Sequence, residues 1–156
     1  MRAVGGNRII FVADNSVSGD ELWSSDGTEA GTFLLKDIHK GWIGSSPDRF
    51  ATLGDGRVVF SAYNPRWGDE LWITDGTQAG TRLVKDIFPG GTNSYIGGYN
   101  VDPITPTRDG RVVFQAWSPD RGMEPWISDG TRKGTRLLKD FTRGPESSSV
   151  VFYRFD

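Results

Sequence analysis

The sequence predicts an all-β chain of the β-propeller type: three four-stranded antiparallel blades and one surplus C-terminal strand. Three observations predict it. An eight-residue motif is written three times, as Glu21-Leu22-Trp23-Ser24-Ser25-Asp26-Gly27-Thr28, as Glu70-Leu71-Trp72-Ile73-Thr74-Asp75-Gly76-Thr77 and, with one change, as Glu124-Pro125-Trp126-Ile127-Ser128-Asp129-Gly130-Thr131. The tryptophans stand 49 (72 minus 23) and 54 (126 minus 72) residues apart, at the long end of the period that marks propellers, solenoids and arrays. The 21 Gly and 8 Pro are spread along the chain and no window holds an apolar period of 3.6 over three turns, which argues against helices.

Each repeat reads as a meander. In the second, Phe50-Ala51-Thr52-Leu53 is strand A, and Gly54-Asp55-Gly56 turns it into Arg57-Val58-Val59-Phe60-Ser61-Ala62, strand B. Strand C is Glu70 to Thr74; a connection rich in residues that tolerate positive φ leads to strand D, Thr81 to Ile87. Arg111-Val112-Val113-Phe114-Gln115-Ala116 repeats strand B in the third unit. A meander of this size cannot bury both faces alone, and radial stacking of four-stranded sheets buries them. The units run 1–46, 47–101 and 102–146. The tail 147–156 aligns with the start of a unit, which makes Phe152 to Phe155 a fourth strand A. Propellers close with four to eight blades. Three blades therefore imply half of a six-bladed ring completed by a second chain, a homodimer being favoured, or by a protein partner; the rival reading is a piece of a longer array.

The motif Glu-Leu-Trp-x-x-Asp-Gly-Thr, with Ala79-Gly80-Thr81 and Lys85-Asp86-Ile87 downstream, resembles the bacterial proteins named for their ELWxxDGT repeats. That resemblance covers nearly the whole chain. It implies a propeller-like fold and an extracellular or cell-surface setting, and no activity or catalytic residue. The third copy departs from the pattern at Pro125. A proline there removes a ladder donor and predicts a distorted unit or a seam.

Composition excludes several classes. Eighteen basic against 20 acidic residues give a net charge of −2 with no basic cluster, contrary to what phosphate neutralisation of nucleic acid requires. There is no cysteine, so disulfides and thiolate metal sites are excluded. No stretch is long and apolar enough to span a membrane, and Met1 to Gly6 lacks the apolar core of a signal peptide.

The repeated polar residues read as structural. Asp26, Asp75 and Asp129 suggest calcium, but their spacing does not fit the twelve-residue loop, and capping of their own turns is the favoured reading. Glu21, Glu70 and Glu124 recur in every unit, unlike the carboxylates of a single glycosidase site. They are expected to form ion pairs with Arg8, Arg57 and Arg111, or with Lys36, Lys85 and Lys139. Trp23, Trp72 and Trp126 share their strand face and read as packing anchors. His39, the only histidine, reads as a solvated loop residue.

The binding signal lies in what varies between copies. The A–B and C–D turns barely change, whereas the B–C loops and the D–A loops differ freely and belong to one face. That face collects Trp42, Tyr63, Arg66, Trp67, Trp117 and Arg121, with Tyr95 and Tyr99 on the longest loop. Exposed Trp, Tyr and Arg are the residue types of binding hot spots. The expectation is a non-catalytic module with no cofactor or metal, lectin-like with a saccharide ligand, or an interaction subunit; a glycosidase is disfavoured.

Overall fold

The computed structural model describes residues 1–97, 103–148 and 150–152. Among these there are twelve strands and no helix. Sheet 1 comprises β1 (Arg2–Val4), β2 (Arg8–Asp14), β3 (Asp20–Ser25) and β4 (Phe33–Lys36). Sheet 2 comprises β5 (Asp48–Thr52), β6 (Val58–Asn64), β7 (Gly68–Thr74) and β8 (Arg82–Lys85), and sheet 3 β9 (Ile104–Pro106), β10 (Val112–Ser118), β11 (Gly122–Ser128) and β12 (Arg136–Leu137). Each is an antiparallel meander whose strands pair in chain order. Phe11, Phe60 and Phe114 stand opposite Trp23, Trp72 and Trp126, and Ala13, Ala62 and Ala116 opposite Glu21, Glu70 and Glu124.

Alternation along the strands gives each sheet two faces, and the sheets stack through unlike ones. Ile10, Leu22 and Leu35 of sheet 1 pack on Phe60, Ala62 and Trp72 of sheet 2. The opposite face of sheet 2, with Val59, Leu71, Ile73 and Val84, packs on Phe114, Ala116 and Trp126 of sheet 3. A sheet covered on both sides needs continuous apolar runs, which is why Val58-Val59-Phe60-Ser61-Ala62 is wholly buried. Trp72 and Trp126 are anchors between sheets, as expected. Trp23 is only half-buried, because its face carries no further sheet among the described residues.

The Asp-Gly-Thr segment is a self-contained turn. Asp75 Oδ1 accepts the N–H and hydroxyl of Thr77 at 2.9 and 2.7 Å, and Thr77 Oγ1 accepts the Gly80 N–H at 2.9 Å. Asp26 and Asp129 do the same with Thr28 and Thr131. The glycine that follows has to lack a side chain: a Cβ at Gly80 would sit 2.0 Å from the Asp75 carboxylate.

The repeated glutamates do not form the expected ion pairs. All three are fully buried, and each holds the segment that leaves the last strand of its sheet. Glu21 accepts the His39 N–H at 2.8 Å and the Ser45 hydroxyl at 2.6 Å. Glu70 accepts the N–H groups of Ile87 and Phe88, both at 3.0 Å, and Glu124 those of Phe141 at 3.2 Å and the hydroxyls of Thr142 and Ser148. Arg57 and Arg111 instead bind Asp55 and Asp109, and Arg8 lies 3.8 Å from Asp26. A buried carboxylate is better satisfied by backbone donors that are themselves buried and need an acceptor. Capture of Ile87 and Phe88 also explains why β8 ends at Lys85, short of the expected Ile87.

Pro125 shortens the outer ladder of its unit and leaves the pairing of β10 with β11 unbroken. It stands where Leu22 and Leu71 pair with Lys36 and Lys85, and β12, beside it, keeps only Arg136–Leu137. Among the expected surplus residues, Phe152 and the described part of the preceding tail lie in no strand, and 153–156 lie outside the described residues, as does Tyr99.

Candidate functional site: a cationic groove between sheets 1 and 2

The variable loops do gather along one edge of the sheets. Gly19 and Gly68, both at positive φ, begin the C-strand hairpin arm so close to the D–A backbone that a Cβ would lie 2.5 Å from Trp42 O and 2.3 Å from Thr92 O. The Asn64 side-chain amide donates to Ile38 O at 2.6 Å, tying the B–C loop of sheet 2 to the segment leaving sheet 1. Between these two connections runs a groove of about 570 Å³.

Its walls carry Lys36, Lys40, Arg66 and Arg82 against one carboxylate, Asp37, with Trp67 and Trp72 at the apolar side. No salt bridge among the described residues engages any of the four cations. On a chain whose net charge is −2, this is a local reversal of sign, and low-dielectric walls focus such a field on an incoming anion. The Arg66 guanidinium lies 5.4 Å from the Trp67 ring centroid, and Trp67 meets Trp72 edge to face at 6.0 Å. The buried Trp72 indole N–H has no partner among the described residues.

Of the six residues expected to bind, Arg66 and Trp67 line the groove. Tyr63 is not part of its lining and meets His39, which is, edge to face at 5.3 Å. Trp42 is on the exposed loop after β4 and forms no part of the walls. Trp117 and Arg121 belong to sheet 3, where Arg121 pairs with Asp140.

Lys36, expected with Lys85 and Lys139 as an alternative ion-pair partner of the repeated glutamates, makes no such pair among the described residues and lines the groove instead; Lys40 and Arg82 had no expected role, and His39 is not a solvated residue. Its Nδ1–H donates to Gly44 O at 2.8 Å, and its backbone N–H is fixed by Glu21. Burial pushes the Glu21 carboxyl above its ordinary value, an effect that the Ser45 hydroxyl and the His39 N–H offset in part. Glu21 thus positions one wall of the groove. The run Lys36-Asp37-Ile38-His39-Lys40 held the available signal, its basic residues, but only the stacking of sheet 2 places Arg66 and Arg82 beside them.

Compared with known families and curated proteins, the chain matches no family model and no curated sequence.

Proposed function

We propose that the chain is half of a six-bladed β-propeller and a non-catalytic, lectin-like module that holds an acidic saccharide in the groove between sheets 1 and 2. The observation that carries this reading is the convergence of four cations on the half-buried Trp67 indole at one apolar-floored groove. A uronate carboxylate suits the planar fork of Arg66, and the C–H face of a pyranose suits the electron-rich face of the Trp67 ring. The absence of catalysis is supported by the repeated carboxylates, each committed to its own turn or loop. Acidic polysaccharides are met mainly outside cells, in keeping with the extracellular setting that the ELWxxDGT resemblance implies.

Calorimetry with oligogalacturonate and with a neutral glucan of the same length tests it. Binding of the acidic ligand alone is expected, weakening with salt, with Arg66→Ala and Trp67→Ala each losing about tenfold or more in affinity. Silence toward every uronate tried, or undiminished binding in both variants, would remove the groove from consideration. Exposed Trp42 and Ile43 on one loop favour a second reading, the docking of a protein. Trp42→Ala separates the two, since it is expected to leave saccharide binding unchanged.

A further inference from the structure

The two junctions between sheets are copies of one another. In each, the leading sheet supplies an aliphatic residue from its last strand, Leu35 or Val84, and an isoleucine just beyond it, Ile38 or Ile87. The following sheet supplies the Phe, Ala and Trp of its opposite face. A backbone bond crosses each junction at the same place, Tyr63 N–H to Ser45 O at 2.9 Å and Trp117 N–H to Ser94 O at 2.6 Å. The turn glycine of the following sheet, Gly76 or Gly130, sits against Val4 or Leu53 of the leading one.

Sheets 1 and 3 each end in one half of this junction. Sheet 3 carries the leading half. Leu138 takes the place of Leu35 and Val84; those are 1% and 3% exposed, and Leu138 is 45% exposed. Phe141 takes the place of Ile38 and Ile87 and is 56% exposed. Ser148 is held by Met123 O as Ser45 is by Asp20 O and Ser94 by Asp69 O, each at 3.0 Å, so its carbonyl is placed like theirs. Sheet 1 carries the following half: Phe11, Ala13 and Trp23 are half-buried where their counterparts are buried, a Cβ at Gly27 would meet nothing within 4 Å among the described residues, and Asp14 stands at the position of Tyr63 and Trp117.

We infer that a second copy of this chain completes both halves, sheet 3 of each copy packing on sheet 1 of the other, so that two copies close a ring of six sheets. Each contact continues an interface that the chain already uses twice within itself. It joins unlike surfaces, and unlike surfaces make a ring only if the rotation closes; six sheets fall within the four to eight at which propellers close. The inference rests on reading the sheets as propeller blades and is independent of the saccharide, because the groove lies wholly between sheets 1 and 2 of one copy.

Light scattering over a range of concentrations tests it, with strand content followed by circular dichroism. The parent chain is expected at twice its own mass. The double variant Leu138→Glu/Phe141→Glu, altered only at exposed positions, and Phe11→Glu are each expected at the mass of one chain. Mixed, they are expected to pair again, because one junction between them is intact. Should Phe11→Glu fail to fold, Asp14→Pro removes the N–H meant for Ser148 of the other copy and is expected to weaken pairing by about tenfold. A parent chain that stays single, an open-ended ladder of sizes, or a pair that survives in either end variant overturns the inference. Saccharide binding by the single-chain end variants is read separately, so loss of the ring and failure of the lectin reading are told apart.

Discussion

Glu70 is where residue chemistry and fold meet most directly. Burial pushes its carboxyl up to about 8, against the lowering effect of the Phe88 and Ile87 N–H groups. The folded chain therefore binds this proton more tightly than the unfolded chain does. The resulting stability is fully present below the ordinary carboxyl value and is lost as pH rises through about 8. Asp69, raised to about 6 by burial, acts in the same direction over a narrower range. The melting temperature is expected to fall between pH 5 and pH 8.5, by about 2–4 °C for each kcal/mol lost, and Glu70→Gln is expected to flatten most of that slope. Melts across this range check it; an equal slope in the variant would show that Glu70 is ionised in the fold throughout. The Glu-Leu-Trp spelling told that these glutamates are structural, but not what they bind. Their partners are backbone N–H groups and the hydroxyls of Ser45, Thr142 and Ser148, all 17 or more residues away; a backbone N–H leaves no mark on the sequence, and a hydroxyl so distant does not declare its acceptor.

At the scale of the element, the Asp-Gly-Thr turn was fully legible because its chemistry is local. Acceptor, donors and the small glycine all lie within six residues, from Asp75 to Gly80, and Asx side chains close such turns wherever they occur. Its glycine supplies a test. Gly80→Ala puts a methyl group into the Asp75 carboxylate and is expected to cost about 1–3 kcal/mol. Asp75→Ala removes both the clash and the turn's acceptor, so the double variant is expected to be little worse than Asp75→Ala alone, a non-additivity that denaturant titration reads directly. In the turns of sheets 1 and 2 the Thr28 and Thr77 hydroxyls hold Asp26 and Asp75 below the usual carboxylate range. That contribution is present above the ordinary value and is lost only as pH falls through the depressed one. The strand ends were less legible: β8 stops where buried Glu70 captures the Ile87 and Phe88 N–H groups, β12 stops beside Pro125, which has no N–H to give the ladder, and both causes lie on the neighbouring strand.

At the scale of the whole molecule, the outer faces of sheets 1 and 3 make stability depend on what covers them. If copies associate through these faces, mass action raises the melting temperature with protein concentration. A rise is expected between micromolar and hundred-micromolar protein for the parent chain, and none for Leu138→Glu/Phe141→Glu; scanning fluorimetry at several concentrations checks it. The sequence by itself determined the all-β class, the three four-strand units, two of the three tryptophan anchors and the closed turns, because apolar alternation, repetition and Asx chemistry act over a few residues. Only the tertiary structure decided that Lys36, Lys40, Arg66 and Arg82 share one groove, that the buried glutamates hold loops rather than arginines, and that Leu138 and Phe141 stand uncovered. Each of these depends on which face of one sheet meets which face of the next, and that register is fixed by packing between segments about fifty residues apart.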